Sequence, residues 1–256
     1  MPYWYKNNPS FGRIIVLRTI LALTIILSAF TDILASHIVG GQLTYRYLGN
    51  NRYEIKLVVR RDCIHGSDTV PFDNPAIIGV FYNDEDKEKA FRVGNDGTFR
   101  FQRMNDDTLF ERIDTICPSG YTPVCVHQST YIDTVFIPFD ERGYLLVYQR
   151  CCRNKTLDNI EQPAQTGMTL IANVTPLANN SPQFGDFPPI YTCLGAPFTF
   201  GHAATDPDGS GDSLVYSLYT PYQGKTFDDP AGRPDTPPYT QLLWKTGNGL
   251  GNLNGS

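Results

Sequence analysis

The chain has 256 residues, 41% hydrophobic and 18% charged, and a formal net charge of −5. An acidic chain without a basic block lacks the electrostatic footprint of a nucleic-acid binder, so that class of partner is excluded. Nineteen prolines, 22 glycines and 15 tyrosines point to many short strands and turns rather than long helices.

Residues 1–35 read as a signal peptide. Lys6, Arg13 and Arg18 give a basic start, "ILALTIILSAF" is an uninterrupted apolar run, and "DILASH" offers small residues for cleavage. The apolar run is short of the about 20 residues a membrane span needs. Asp32 beside the cut and the long basic region are what a retained anchor would share. Cleavage removes three positive charges and one negative, taking the formal charge to −7. The expected location is extracellular, on the surface of a Gram-negative cell.

The exported part divides into a β-sandwich domain, 36–176, and a partial second domain, 177–256, whose few strands leave it unfinished, as in a fragment. In "QLTYRYLG", Leu43, Tyr45 and Tyr47 share a face; in "RYEIKLVVRR", Tyr53, Ile55, Leu57 and Val59 do the same, with Glu54, Lys56 and Arg60 opposite. "GNN" between them predicts a hairpin turn. "NPAIIGVFY", "GTFRFQ", "TYIDTVFIPF" and "MTLIANVTP" predict further strands, and "GYLLVYQRCC" a central one. No stretch sustains helical apolar spacing, so the expected fold class is an all-β sandwich. "TPLANNSPQFGDFPP", with four prolines, predicts the linker. Beyond it, "APFTFGHAATDPDG" and "DSLVYSLYTP" predict strand, acidic turn, strand.

The six cysteines, at 63, 117, 125, 151, 152 and 193, all lie in the exported part, where an even count favours disulfides. Six cysteines permit 15 pairings. Cys117 and Cys125 bracket the turn-rich "PSGYTPV", a ring contributing about 2–3 kcal/mol if closed. Should Cys151 and Cys152 lie in a strand, they point to opposite faces and take different partners. Zinc is disfavoured, because the chain has neither a CxxC pair nor a nearby His pair.

Asp206, Asp208 and Asp212 are the candidate metal residues, with calcium the hard cation that closely spaced carboxylates would hold. Pro207, Asp208 and Gly209 also spell an ordinary solvated turn. The closing Glu and flanking helices of an EF-hand are missing. Catalysis is not expected: the chain has no G-x-S-x-G, H-E-x-x-H or phosphate loop, and His202 reads equally well as a packed side chain. His37, His65 and His127 are isolated in sequence, and Asp84 to Lys89 read as a solvated hairpin end. Tyr45, Tyr53, Tyr144 and Tyr148 fit sheet packing; Tyr121, Tyr222 and Tyr239, in polar loops, are the candidates for stacking on sugars.

The blocks "ASHIVGGQLTYRYLGNNRYEIKLVVRRDC", "FDNPAIIGVF", "YLLVYQRCCRN", "NNSPQFGDFPPIYTCLGAPFTFGHAATDPDG" and "DSLVYSLYTP" together resemble the N-terminal region of large Bacteroidota cell-surface proteins of the gliding-motility-associated type. The resemblance covers roughly residues 36–239. It implies immunoglobulin-like, PKD-like or cadherin-like sandwich modules and display by type IX secretion through a C-terminal sorting domain. It also implies adhesive or scaffolding roles toward a surface glycan or protein. "HAATDPDG" resembles that family's acidic turn and places Asp206, Asp208 and Asp212 on its acidic positions, which favours calcium. The "SG" before Asp212 departs from the family spacing. Tyr219 stands where relatives often carry a cysteine, which leaves Cys193 a different partner. The expected function is a noncatalytic surface module; the runner-up is a carbohydrate-binding module of a larger extracellular enzyme.

Overall fold

The structure is a computed structural model that describes residues 37–245, except 65, 67–70, 110–123, 186–188, 190–191, 193–196, 198, 210 and 218. β1 (Ile38–Gly49) and β2 (Arg52–Asp62) form a hairpin with Leu43 opposite Leu57 and Tyr45 opposite Ile55. Asn50 and Asn51 at its tip have φ of 51° and 57°. Tight hairpin turns require positive φ at both central residues, and asparagine tolerates it well. The turn lies where "GNN" predicts it.

Next in the chain come β3 (Ala76–Tyr82), β4 (Thr98–Phe101), β5 (Asn105–Leu109), β6 (Val126–Phe136), β7 (Tyr144–Arg150) and β8 (Met168–Val174). They complete two antiparallel sheets, ordered β1-β2-β6-β5 and β4-β3-β7-β8. One core lies between them. Leu43, Ile55, Leu57 and Tyr131 enter from the first sheet, and Ile78, Val80, Leu146 and Ala172 from the second. Fully burying such side chains stabilises the fold by about 1.5–3 kcal/mol each, so the period-two pattern is the main source of stability.

β7 is central, as expected, and buried on both faces. Tyr144, Leu146 and Tyr148 face the main core, while Leu145 and Val147 join Phe81 in a second cluster that Ile171 and Tyr239 cover. Residues between 221 and 245 run over that outer face. The Asp235 amide donates to Gln149 Oε1 at 2.8 Å, the Cys151 amide to the Pro230 carbonyl at 2.9 Å, and Pro234 lies over Gly79.

Among the described residues near the acidic turn, only a two-residue pair forms, β9 (Gln183–Phe184) with β10 (Ala204–Thr205). The strand expected over "DSLVYSLYTP" does not form among its described residues. Val215 is 89% exposed and Tyr216 and Tyr219 are exposed too. Alternation makes a strand only where a sheet neighbour and an apolar layer receive it, and this run has neither.

The expected Cys117–Cys125 ring is corrected, and the condition set for Cys151 and Cys152 is not met. Cys125 pairs with Cys63, not Cys117, which lies outside the described residues together with Cys193. The β2–β6 register sets Asp62 opposite Val126, which brings the two cysteines to a Cα separation of 5.4 Å. Cys151 and Cys152 bond to each other. They sit just past the end of β7, so the strand rule that would separate them does not apply.

Candidate functional site

The acidic turn starts directly after β10. Gly209 and Gly211 adopt φ of 69° and 79°, where a side chain would be strained. The Asp208 amide donates to Asp206 Oδ1 at 3.3 Å, and the Asn180 amide to Asp208 Oδ2 at 3.1 Å. Carboxylates that cap backbone N–H groups in this way are the ordinary chemistry of an Asp-containing turn. Asp208 and Asp212 are exposed and Asp206 is half-buried. Among the described residues, three His, Cys, Asp or Glu side chains bring ligand atoms within 4.8 Å of one another only at Cys63, Cys125 and His127. Asp206, Asp208 and Asp212 are not gathered to that degree.

Beside the turn opens a cleft of about 800 Å³, between β1, the edge of one sheet, and β8, the edge of the other. Leu43, Leu170, Ile171, Phe184, Phe200 and His202 give it an apolar wall with one imidazole, alongside several amide side chains. Glycine is required at position 41, because a Cβ there would lie 2.8 Å from both Leu170 Cδ1 and the Val58 carbonyl. The outer edge of β1 is partly capped from beyond 176. The Tyr45 amide donates to Ser181 Oγ at 3.0 Å, the Ser181 amide to the Tyr45 carbonyl at 2.9 Å, and the Tyr47 amide to Asn180 Oδ1 at 2.6 Å. Asn180 thus joins the acidic turn to the cleft.

Two basic side chains reach this cleft. Arg60 donates to Gln128 Oε1 at 2.8 Å, and burial holds its guanidinium below the usual arginine range. His202 meets Phe200 edge-on, with ring centres 4.7 Å apart. Of the residues singled out in sequence, His202 lines the cleft, Tyr45 borders it and Asp208 is tied to its rim. The sequence pattern cannot show the cleft, since its walls come from strands about 120 residues apart (β1 and β8).

A polar clamp, also unmarked in the sequence, crosses the sandwich interior. Asp73 Oδ1 is 2.6 Å from Arg150 Nη1, the Tyr148 hydroxyl donates to Asp73 Oδ2 at 2.8 Å, and the Tyr131 hydroxyl to the Asp73 carbonyl at 2.7 Å. Tyr131 belongs to the first sheet and Tyr148 to the second, so one residue ties both layers. Burial pushes the Tyr131 hydroxyl up to about 12 and the Tyr148 hydroxyl well above its ordinary value, which keeps both as neutral donors. Tyr148 and Arg150 share a face by alternation, but Asp73 lies 75 residues from Tyr148.

The loop tyrosines meet as well. Tyr219 packs on Tyr222 at 5.4 Å and Tyr222 on Tyr239 at 5.9 Å, both edge-on. Tyr219 is 58% exposed, whereas Tyr222 and Tyr239 are half-buried. Burial, followed by the nearby Asp235, raises the Tyr239 hydroxyl, which donates to the Asp235 carbonyl. Tyr121 lies outside the described residues.

Comparison with protein-family models, with curated proteins and with solved structures gives no match to this chain.

Proposed function

We propose that the chain is a noncatalytic, extracellular β-sandwich module that holds a cell-surface glycan or protein and serves adhesion or cell-envelope organisation. The observation that carries this reading is the cleft between β1 and β8, whose size, apolar wall and amide rim suit retention of a ligand. The leader-like 1–35 and the disulfides support an exported setting. The finer assignment, an immunoglobulin-like, PKD-like or cadherin-like module of a Bacteroidota surface protein displayed by type IX secretion, rests on the sequence resemblance and belongs to the same proposal. Calcium at Asp206, Asp208 and Asp212 is its metal component.

The second reading, a carbohydrate-binding module, draws on the contact of Tyr219, Tyr222 and Tyr239. Exposed aromatic faces stack on sugar rings. The two readings separate in one experiment. Oxidised residues 36–256 are applied to a polysaccharide array and to immobilised cell-envelope fractions, with Phe200→Ala/His202→Ala and Tyr219→Ala/Tyr222→Ala alongside. A loss of about tenfold or more confined to the first variant supports the cleft. The same loss confined to the second moves the function to the tyrosines. Binding unchanged in both removes both sites, and steady release of reducing ends overturns the noncatalytic reading.

A further inference from the structure

Cys125 directly precedes β6 and His127 is its second residue; the bond from the Cys63 amide to the Cys125 carbonyl extends the β2–β6 pairing one step past the strands, so Cys125 and His127 leave the same side. Across the ladder, Arg61 pairs with His127 and Asp62 with Val126, which brings Cys63 alongside Cys125. Arg61 and His127 share the inward parity of Val59 and Tyr131, and the Cys63–Cys125 pair lies one step further along. One ligand atom each from Cys63, Cys125 and His127 lies within 4.8 Å of the other two, and all three residues are half-exposed. In the oxidised chain both sulfurs are consumed by the Cys63–Cys125 disulfide. A metal and that disulfide therefore exclude one another.

We propose that reduction of Cys63–Cys125 converts this corner into a three-ligand site for a divalent cation of the zinc class, with His127 as the nitrogen ligand. Two thiolates and one imidazole, with the fourth position left to water, form a ligand set that zinc accepts. Tetrahedral bonds of about 2.3 Å to sulfur and 2.0–2.1 Å to nitrogen put ligand atoms roughly 3.3–3.8 Å apart, which small side-chain rotations reach from the spacing here. The backbone keeps the ligands together without the sulfur–sulfur bond. The Cys63 amide donates to the Cys125 carbonyl at 3.1 Å, and the β2–β6 ladder continues from there through Arg52 and Phe136.

A small cavity adjoins His127. It measures about 140 Å³ and is also lined by Arg61, Phe72, Arg103, Asp106 and Thr108. A bound water occupies about 30 Å³ of liquid volume, so it fits. Arg61 lies over the Phe72 ring at 4.5 Å, and Arg103 pairs with Asp106 at 3.1 Å. Arg61 is the cross-strand neighbour of His127.

The chemistry balances with a thiol or phosphine reductant. Two electrons from the reductant break the sulfur–sulfur bond, and two protons make the two thiols. A phosphine leaves as its oxide, carrying the oxygen of one water; a dithiol leaves as its own disulfide. Metal binding then releases the two thiol protons. Re-oxidation returns two electrons to the oxidant and expels the metal.

The test uses residues 36–256, reduced anaerobically with a phosphine, and Co²⁺ as a visible substitute for Zn²⁺. The expected result is one equivalent of cobalt with thiolate-to-cobalt charge-transfer absorption, displaced by Zn²⁺, and no such absorption in the oxidised chain. His127→Gln leaves every cysteine in place and is expected to weaken binding by about tenfold or more. Equal affinity in His127→Gln assigns the metal to other thiols and overturns the proposal. So does an absence of charge-transfer bands in the reduced chain, or the same bands in the oxidised one. Near-UV circular dichroism checks that reduction and substitution keep the tertiary fold; its loss on reduction also overturns the proposal, because the ladder then fails to hold the ligands.

Discussion

On β2, Glu54, Lys56 and Arg60 alternate with Tyr53, Ile55, Leu57 and Val59, whereas β7 buries every residue from Tyr144 to Gln149. The first sheet meets solvent along most of its outer face, Val58 and Val126 excepted, and forms a surface ion pair there between Arg46 and Glu54. The second is covered on its outer face by residues between 221 and 245. The difference follows from composition: an alternating strand has one face to bury, and a continuously apolar strand has two. Coverage of the second sheet therefore depends on a segment with almost no regular structure of its own.

The sharpest way to break the contrast is Val147→Asp, on the outer face of β7. A charge buried there without a partner is expected to cost about 4 kcal/mol or more in urea unfolding, against about 0.5 kcal/mol or less for Lys56→Ala on the first sheet. Comparable small effects would mean that the later residues do not cover β7 in solution. Next in size, Asp73→Asn leaves Arg150 without its carboxylate and is expected to cost about 3 kcal/mol, since both side chains are largely buried, at 12% and 15% exposure.

Alkaline titration gives a smaller, graded effect. The folded state keeps the Tyr131 proton to about pH 12, while an unfolded tyrosine loses it near pH 10. Above pH 10 the unfolded chain binds fewer protons, so this stabilisation is complete below about pH 10 and is lost as the pH climbs toward 12. Tyr131→Phe is expected to flatten that slope and, at neutral pH, to cost about 1 kcal/mol for the lost bond to the Asp73 carbonyl. An unchanged slope would assign the alkaline transition to other groups.

The smallest expected effect is at the acidic turn. Asp206→Asn/Asp208→Asn should shift stability by no more than about 0.5 kcal/mol without calcium. Specific binding to the native state must raise its stability with ligand concentration. A saturable calcium-dependent rise abolished in the double variant would make the turn a metal site. No rise in either protein would leave it as a backbone cap.

Most of the sandwich was legible because its signals are local. Alternation marked β1, β2 and β6, continuous apolar character marked β7, and two asparagines marked the hairpin. The same rule failed at "DSLVYSLYTP", because periodicity reports an available face and not whether another layer arrives to bury it. Pairings over long separations were equally hidden. Nothing near Cys125 favours Cys63 over Cys117 until the β2–β6 register is known, and nothing near Tyr148 points to Asp73. Of the proposed ligand set, Cys125 and His127 are close in sequence, but His127 reads there as an isolated histidine. The set's third member comes from just past another strand, which is why a search for compact spacing passed over it.

Among the described residues, the two disulfides differ in what they ask of the unfolded chain. Cys63–Cys125 spans 62 residues, and closing so long a loop removes conformational freedom equivalent to about 4 kcal/mol on the chain-entropy account. Cys151–Cys152 joins sequence neighbours and encloses almost no chain to restrict. A search through mispaired isomers during oxidative maturation is consequently uneven. A bond between neighbours needs no distant segment to arrive, while the Cys63–Cys125 bond must wait for β2 and β6 to find each other.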